Sequence, residues 1–249
     1  MKTRIFIYVV ASSSDPDNIT CPVPWRVNDK EIFFGPCKKK LRIDLKKEYL
    51  INRDYCRVND NVYIIGLNGS NSFKKRKIVF VGKINEVMTF EQAYIRLQSK
   101  EYNKMRTIEV GSPLHVKLIK QGEISRYIHL ENGHHIKDWQ ADLSSRKQNS
   151  KDFVNIKEAD RDCCILLKNI FWADGKNKYS EKKIEGIDIN RHLLDLLIQG
   201  QPNARMIDDY AVFGKDSKGS AIGKRGTYLN ISGNLAEQIV YCIEKLIMK

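Results

Sequence analysis

The fold of this chain is decided by residues 62–81, which read VYIIGLNGSNSFKKRKIVFV. Two apolar runs rich in β-branched residues, 62–67 and 78–81, flank a turn that contains the dipeptide Asn68-Gly69. Asn-Gly between such runs is a strong signal for a β-hairpin. The stretch therefore predicts two neighbouring antiparallel strands, joined by a tip that carries the basic run Lys74-Lys75-Arg76-Lys77.

Outward from this hairpin, the hydrophobic pattern predicts further strands and helices. Residues 5–11, 84–87 and 163–171 are rich in β-branched and other apolar side chains, which indicates strands. Thr89 precedes Gln92 with capping-box spacing and predicts a helix that continues to about residue 102. Leucine-rich residues 189–199 predict a helix ended by Gly200, and a last helix is expected from near residue 234 towards the C-terminus.

These elements predict an α+β fold. Its centre is a mixed or mainly antiparallel, partly barrel-like sheet with flanking helices and a C-terminal helix. The 249 residues fit a single integrated domain, with a possible core at residues 1–200 and a C-terminal loop-helix extension at residues 201–249.

The composition of the chain points to an acidic partner. There are 43 Lys and Arg residues against 30 Asp and Glu residues, which gives a formal net charge of +13. Phosphate backbones are the commonest acidic partner, so we expect binding to nucleic acid, in the first place DNA, that weakens as salt is added. Because the sequence lacks a run of apolar residues long enough to span a bilayer, we expect a cytoplasmic protein that does not bind membranes.

The six cysteines have neither a Cys-x-x-Cys pair nor the Cys/His spacing of a zinc site. Cys163 and Cys164 lie in an apolar run, which favours two small buried side chains over a redox pair. We therefore expect reduced thiols, no structural metal and no cofactor.

Residues 33–42, which read FFGPCKKKLR, join an aromatic pair to four cations. Aromatic rings stack on unpaired bases, and cations neutralise the phosphates beside them. Phe34, Lys38, Lys40 and Arg42 are therefore candidate contacts to nucleic acid. The alternative is that the phenylalanines belong to the core and the lysines to a solvated turn.

Two other segments carry candidate phosphate contacts. The hairpin tip contains Lys75, and the glycine-rich segment 213–227 contains Lys224 and Arg225. Backbone N–H groups beside glycines suit an anion, although the spacing of a Walker loop is absent. A solvated hairpin end and a flexible surface loop are the alternatives.

Three short segments, in this order, carry a resemblance to a known family. The first joins Tyr8-Val9-Val10-Ala11 to a proline-containing loop and Cys37-Lys38 with Arg42. The second comprises residues 59–66 and 78–84 with Thr89-Phe90 at the start of the following helix, and the third is residues 164–175, which read CILLKNIFWADG. They resemble the tyrosine-bearing strand, proline-rich loop, central strands and late strand of the nucleotide-modification-associated domain family, second type.

The resemblance implies a bacterial or phage protein that recognises modified bases in DNA modification or defence. A looser similarity of fold to barrels of the PUA and EVE type implies a base held in an aromatic pocket. Trp25, Phe34, Tyr63 and Trp172 are then the candidate stacking faces, and Trp25 and Phe34 are expected to line the pocket.

Two other classes of function remain open. A DNA-processing enzyme would be a base-releasing glycosylase, with Asp174 as the candidate acid, or a metal-dependent nuclease. For the nuclease, the candidate acids are Asp60 and Glu86 with Lys83, and magnesium would be the cofactor. The third class is a protein-interaction module, which the apolar stripe Leu235, Ile239, Ile243 and Leu246 of the last helix supports weakly.

Overall fold

A computed structural model describes two compact units of the chain. The described residues are 2–10, 25–26, 29–34, 39–68, 77–97, 116–121, 124–129, 163–173, 186–200, 204–207, 210–213 and 228–248. Unit 1 comprises Met1–Cys21, Asp60–Lys83 and Asn169–Lys249, and unit 2 comprises Pro22–Asn59 and Ile84–Lys168. Each unit is built from separate stretches of sequence, so the chain passes between them several times.

The strands of the described residues are β1 (Arg4–Val10), β2 (Trp25–Arg26), β3 (Glu31–Phe34), β4 (Tyr55–Arg57), β5 (Val62–Asn68), β6 (Lys77–Met88), β7 (Val116–Gln121), β8 (Ile124–His129), β9 (Cys164–Trp172), β10 (Ile187–Asp188), β11 (Ala204–Ile207), β12 (Tyr210–Phe213) and β13 (Leu229–Ser232). The helices are α1 (Lys39–Tyr49), α2 (Phe90–Leu97), α3 (Arg191–Gln199) and α4 (Asn234–Ile247). β6 and β9 each contribute one part to unit 1 and the other part to unit 2.

Unit 1 contains a mixed sheet centred on β1. β1 runs parallel to β5, with Arg4 opposite Val62, and antiparallel to β13 on its other side. β5 in turn pairs antiparallel with β6, which confirms the predicted hairpin. The pairing shifts register between Gly66 and Leu67, where a strand glycine permits an irregularity.

The hydrophobic core of unit 1 lies between one face of this sheet and helices α3 and α4. Ile5, Ile7 and Ile65 share this face, because alternate strand residues point to the same side. The helices contribute side chains at helical spacing: Leu193, Leu196, Leu197, Ala236, Ile239, Cys242 and Ile243. The apolar stripe of the last helix therefore packs, at Ile239 and Ile243, on its own unit.

Unit 2 contains the antiparallel neighbours β2, β3 and part of β9. β4 pairs antiparallel with the end of β6, and β7 and β8 form a further antiparallel pair. Helix α1 buries Leu41, Leu45 and Tyr49, which lie one above the other along one helical face.

The predicted α+β class is confirmed, with a mixed sheet, flanking helices and a C-terminal helix. The described strands do not close into a barrel. The strands predicted at 5–11, 62–67 and 163–171 correspond to β1, β5 and β9, whereas 78–81 and 84–87 are two parts of the single strand β6. None of the described helices has the length and apolar character needed to cross a membrane.

The predicted helices after residues 89, 189 and 234 are confirmed as α2, α3 and α4. The Gln92 N–H donates to the Thr89 hydroxyl at 3.3 Å, which is the expected cap of α2, and Gly200 ends α3. Residues 98–102, the predicted end of the helix after Thr89, lie outside the described residues. The predicted turn in the basic segment is wrong from Lys39 onward, because α1 begins there and its buried face holds it as a helix.

The C-terminal strand and helix belong to unit 1. The Gly233 N–H donates to the Thr3 carbonyl at 2.9 Å, and the Thr3 hydroxyl donates to the Glu237 carboxylate at 3.2 Å. Gly233 has a φ of 75°, a backbone conformation that favours glycine, and it joins β13 directly to α4. The N-terminal strand and the C-terminal helix are therefore tied together, while the single integrated domain stays a prediction.

Candidate nucleic-acid interface

Arg42, a predicted phosphate contact, lies in the interior of unit 2. It is 1% exposed, and its guanidinium donates to the Cys163 carbonyl at 2.8 Å. The Cys163 thiol donates in return to the Arg42 carbonyl at 3.1 Å. These reciprocal bonds join α1 to the residue before β9, so the guanidinium is occupied in the interior and does not face a phosphate in solvent.

Phe34, a predicted stacking face, is also an interior residue of unit 2. It is fully buried and lies opposite Ile165 in the pairing of β3 with β9. The alternative derived from the sequence, a core phenylalanine, therefore describes its position. Trp25 lies opposite Phe33 in the pairing of β2 with β3, which places its backbone at the strand next to Phe34.

Trp172 belongs to a buried aromatic row in unit 1. Tyr8 and Phe80 both lie opposite Gly66, and their ring centroids are 5.9 Å apart, because the glycine leaves the space between them free. Trp172 packs on Phe80 with ring centroids 5.9 Å apart. Since Trp172 is 6% exposed, its ring contributes to this packing rather than to an open stacking face.

Tyr63, the remaining predicted stacking face, lies in the core beside α4. Burial raises the pKa of Tyr63 above its ordinary value of 10.0, and the Glu244 carboxylate adds to the rise. The Lys83 amine lies 6.0 Å from the centre of the Tyr63 ring and donates to the Asn61 side-chain oxygen at 2.7 Å. Lys83 is thus part of a local contact at the end of the β5–β6 pair.

Glu86, a candidate catalytic acid, is held in an ion pair inside unit 2. It is 7% exposed, and its carboxylate accepts hydrogen bonds from the Arg96 guanidinium and, at 3.3 Å, from the Asn85 amide. Arg96 also lies 3.9 Å from the Glu31 carboxylate. Because the Glu86 carboxylate already accepts hydrogen bonds from Arg96 and Asn85, the contacts favour a structural role.

The other candidate acids are Asp60 and Asp174. Asp60 is exposed and belongs to unit 1, whereas Glu86 belongs to unit 2. In the part of the chain that the structure describes, no three His, Cys, Asp or Glu side chains are grouped as metal ligands. Several predicted site residues lie outside the described residues or, for Lys40, are described by backbone alone: Lys38, Lys40, Lys75, Asp174, Lys224 and Arg225.

The basic run of the hairpin belongs to the connection 69–76 between two paired strands. Lys77, the first residue of β6, lies opposite Asp188 of β10, and the Lys77 amine is 3.9 Å from the Asp188 carboxylate. Their side chains are 26% and 63% exposed. Solvent screens such a pair, so Asp188 offsets only part of the positive charge near the connection.

The sequence reasoning missed an exposed tyrosine on β4. Tyr55 is 43% exposed, and Arg57 is exposed beyond the buried Cys56. Burial raises the pKa of Tyr55 above 10.0, and the negative charge of the Glu86 carboxylate raises it further. The positive charges of Arg96 and Arg57 lower the pKa in opposition. The available signal was the polar-apolar-polar alternation Tyr55-Cys56-Arg57, which is typical of a half-buried strand.

Comparisons of the chain with models of protein families, with curated proteins and with solved structures found no match. The function must therefore be argued from the charge, exposure and contacts of the chain's own residues. The resemblance carried by residues 59–66 and 164–175 stays a prediction.

Proposed function

We propose that the protein binds nucleic acid, with DNA that carries modified bases as the expected ligand. The observation that carries this proposal is the cationic run Lys74-Lys75-Arg76 in the connection of the β5–β6 hairpin, in a chain with a formal net charge of +13. An overall positive charge attracts a polyanion from a distance, and adjacent cations replace its counterions on contact.

The proposed phosphate contacts are the cations of the connection and of two further basic segments of the sequence. Arg42 is excluded from this set, because its guanidinium already binds the Cys163 carbonyl in the interior. Phe34 and Trp172 are likewise engaged in packing. The proposal therefore relies on Lys75 and its neighbours, with Lys38, Lys40, Lys224 and Arg225 as further predicted contacts.

The choice of a modified base as the ligand is based on the resemblance to the nucleotide-modification-associated domain family, second type. Under this proposal, a hypermodified pyrimidine raises affinity relative to an unmodified strand of the same length. A cytoplasmic location belongs to the same proposal, because DNA is reached there and the described cysteines, Cys56, Cys163, Cys164 and Cys242, are free thiols.

Fluorescence anisotropy with labelled duplexes and single strands tests the proposal across a salt series. The triple variant Lys74→Gln, Lys75→Gln, Arg76→Gln removes three charges from the connection. The control variant Lys2→Gln, Arg191→Gln, Lys245→Gln removes three exposed charges elsewhere in unit 1. We expect the first variant to make the negative slope of log affinity against log salt on a duplex shallower by about two to three. An equal change in the control would contradict the assignment to the connection.

The same incubations report on the enzymatic alternative. Mass spectrometry of the oligonucleotides, with and without magnesium, detects released bases and cut strands. The proposal expects salt-sensitive binding without either product. Released bases would favour a glycosylase, with Asp174→Asn as the first substitution, and magnesium-dependent cuts would favour a nuclease that uses Asp60 or Glu86.

A further inference from the structure

Strand β4 of unit 2 carries an exposed aromatic residue between two exposed arginines. Tyr55 is 43% exposed, and Arg53 and Arg57, two residues to either side, are exposed as well. Tyr55 and Arg57 share one face of the strand, because Cys56 between them is buried. An accessible ring beside guanidinium groups is the combination with which proteins hold the bases and phosphates of single strands.

The backbone that carries Tyr55 is held at both ends. The Thr89 N–H donates to the Asp54 carbonyl at 2.9 Å, just before the strand. The Val58 N–H donates to the Asn85 carbonyl at 2.8 Å, just after it. Between these bonds β4 is paired with β6 over its whole length. The backbone that carries the Tyr55 ring is therefore already fixed before a ligand binds. Binding then costs little conformational entropy of the backbone.

The buried carboxylate of Glu86 offsets only part of the positive charge near Tyr55, because Arg96 lies there as well as Arg57. Glu86 lies opposite Arg57 in the strand pairing and forms an ion pair with Arg96 within the unit, while its carboxylate also raises the pKa of Tyr55. At the surface, residues 53–57 present Arg53 and Arg57 against the single exposed carboxylate of Asp54. The surface around Tyr55 therefore favours an anion.

We propose that Tyr55 stacks on an unpaired base of a single-stranded nucleic acid, while Arg53 and Arg57 contact its phosphates. Residues two apart on a strand are separated by about 7 Å, so the ring and the Arg57 guanidinium can engage neighbouring groups of one strand. This inference rests on the proposed function, to which it adds the single strand as the substrate class.

The first test compares Tyr55→Ala and Tyr55→Phe by fluorescence anisotropy with a labelled oligothymidylate, an RNA strand of the same length and a duplex. Tyr241→Ala is the matched control, because Tyr241 is 63% exposed and the Lys245 amine lies 5.4 Å from its ring centre. We expect Tyr55→Ala to weaken single-strand binding by about tenfold or more. Tyr55→Phe keeps the aromatic face, so we expect affinity within about twofold of the unsubstituted protein, as for Tyr241→Ala.

The second test addresses the phosphates. We expect the double variant Arg53→Gln, Arg57→Gln to make the negative salt slope for single strands shallower by about 1.4, because each lost contact contributes about 0.7. The control variant Arg191→Gln, Lys245→Gln removes the same charge from exposed positions of unit 1. The control is expected to leave the slope within about 0.3 of the original value.

The outcomes separate this inference from the proposed function. Equal single-strand affinities of Tyr55→Ala and Tyr241→Ala would overturn the inference and leave charge-based binding through the connection 69–76 intact. An equal loss on duplex and single strand would also overturn it, because a paired base offers no free face. Failure of the unsubstituted protein to bind any oligonucleotide would overturn both proposals. A preference for the RNA strand that Tyr55→Ala weakens would support the stacking role and correct DNA as the expected ligand.

Discussion

Arg42 and Arg57 belong to the same unit and have opposite surroundings. Arg42 is 1% exposed and binds the Cys163 carbonyl, whereas Arg57 is exposed on β4. Arg42 lies in one of the basic segments of the chain, yet Leu41 and Leu45 on the same helix are buried and Arg42 is buried with them. The difference teaches that local charge density does not identify a binding arginine, because the neighbouring apolar residues decide which way it faces.

Substitution of the interior arginine is expected to have the largest effect. Arg42→Ala should lower the free energy of unfolding by about 2–4 kcal/mol, because the Cys163 carbonyl loses a buried donor and a large side chain leaves a cavity. Arg57→Ala, at an exposed position, should change it by less than about 0.5 kcal/mol. Urea unfolding of both variants measures the difference. Similar values for the two variants would remove the distinction between interior and surface arginines.

The Arg96 ion pair gives an intermediate case. Glu86→Gln should cost about 1–3 kcal/mol, because it leaves the partly buried Arg96 guanidinium without its closest counter-charge. Glu31→Gln acts on a contact of 3.9 Å and should cost less than about 1 kcal/mol. Urea unfolding again provides the measurement. Unchanged stability of Glu86→Gln together with loss of a reaction on DNA would restore Glu86 as a catalytic acid.

A comparison of Tyr63 with Tyr55 extends the argument from charge to pH. Burial raises the pKa of both hydroxyls above that of the unfolded chain, and Tyr63 is the more deeply buried of the two. A raised pKa stabilises the folded state below the unfolded pKa of 10.0, and this stabilisation is lost as pH rises through the folded pKa. Tyr63→Phe should therefore flatten the fall of stability above pH 10.0 more than Tyr55→Phe does. Urea midpoints measured along a pH series test this, and parallel curves for both variants would contradict it.

The smallest effect is expected at the surface carboxylate beside the hairpin. Asp188→Asn removes the partner of Lys77 and should raise affinity for DNA at low salt by about twofold. Asp195→Asn is the matched control, because Asp195 pairs with Arg191 at 3.1 Å on the exposed face of α3. Anisotropy titrations measure both variants. A gain of the same size in Asp195→Asn would indicate a general charge effect rather than a contact near Lys77.

The longer elements could be predicted because their patterns are local. The Asn68-Gly69 hairpin, the Thr89 cap and the Gly200 end of α3 each depend on a few adjacent residues. The short strands β4, β10 and β13 escaped prediction, because a strand of two to four residues exists only through its partner. The whole of α1 was missed, because the lysines at its start resembled a solvated turn.

The candidate site was predicted less well than the fold. Residue types correctly suggested a basic, aromatic-bearing protein, but Phe34 and Trp172 pack in the cores, and Tyr55 was overlooked. Exposure distinguishes these aromatic residues, and it depends on which strands and helices cover each face. The order of residue types along the chain does not show which elements cover a given side chain.

By itself, the sequence determined the net charge of +13, the helical and strand periods and the cap residues, since each of these is a property of neighbouring residues. Only the tertiary structure decided that Arg42 is an interior donor, that Glu86 is neutralised by Arg96 and that Tyr55 faces solvent. The physical reason is distance along the chain. Arg42 and Cys163 are 121 residues apart, and a contact of that kind is formed by the packing of whole elements.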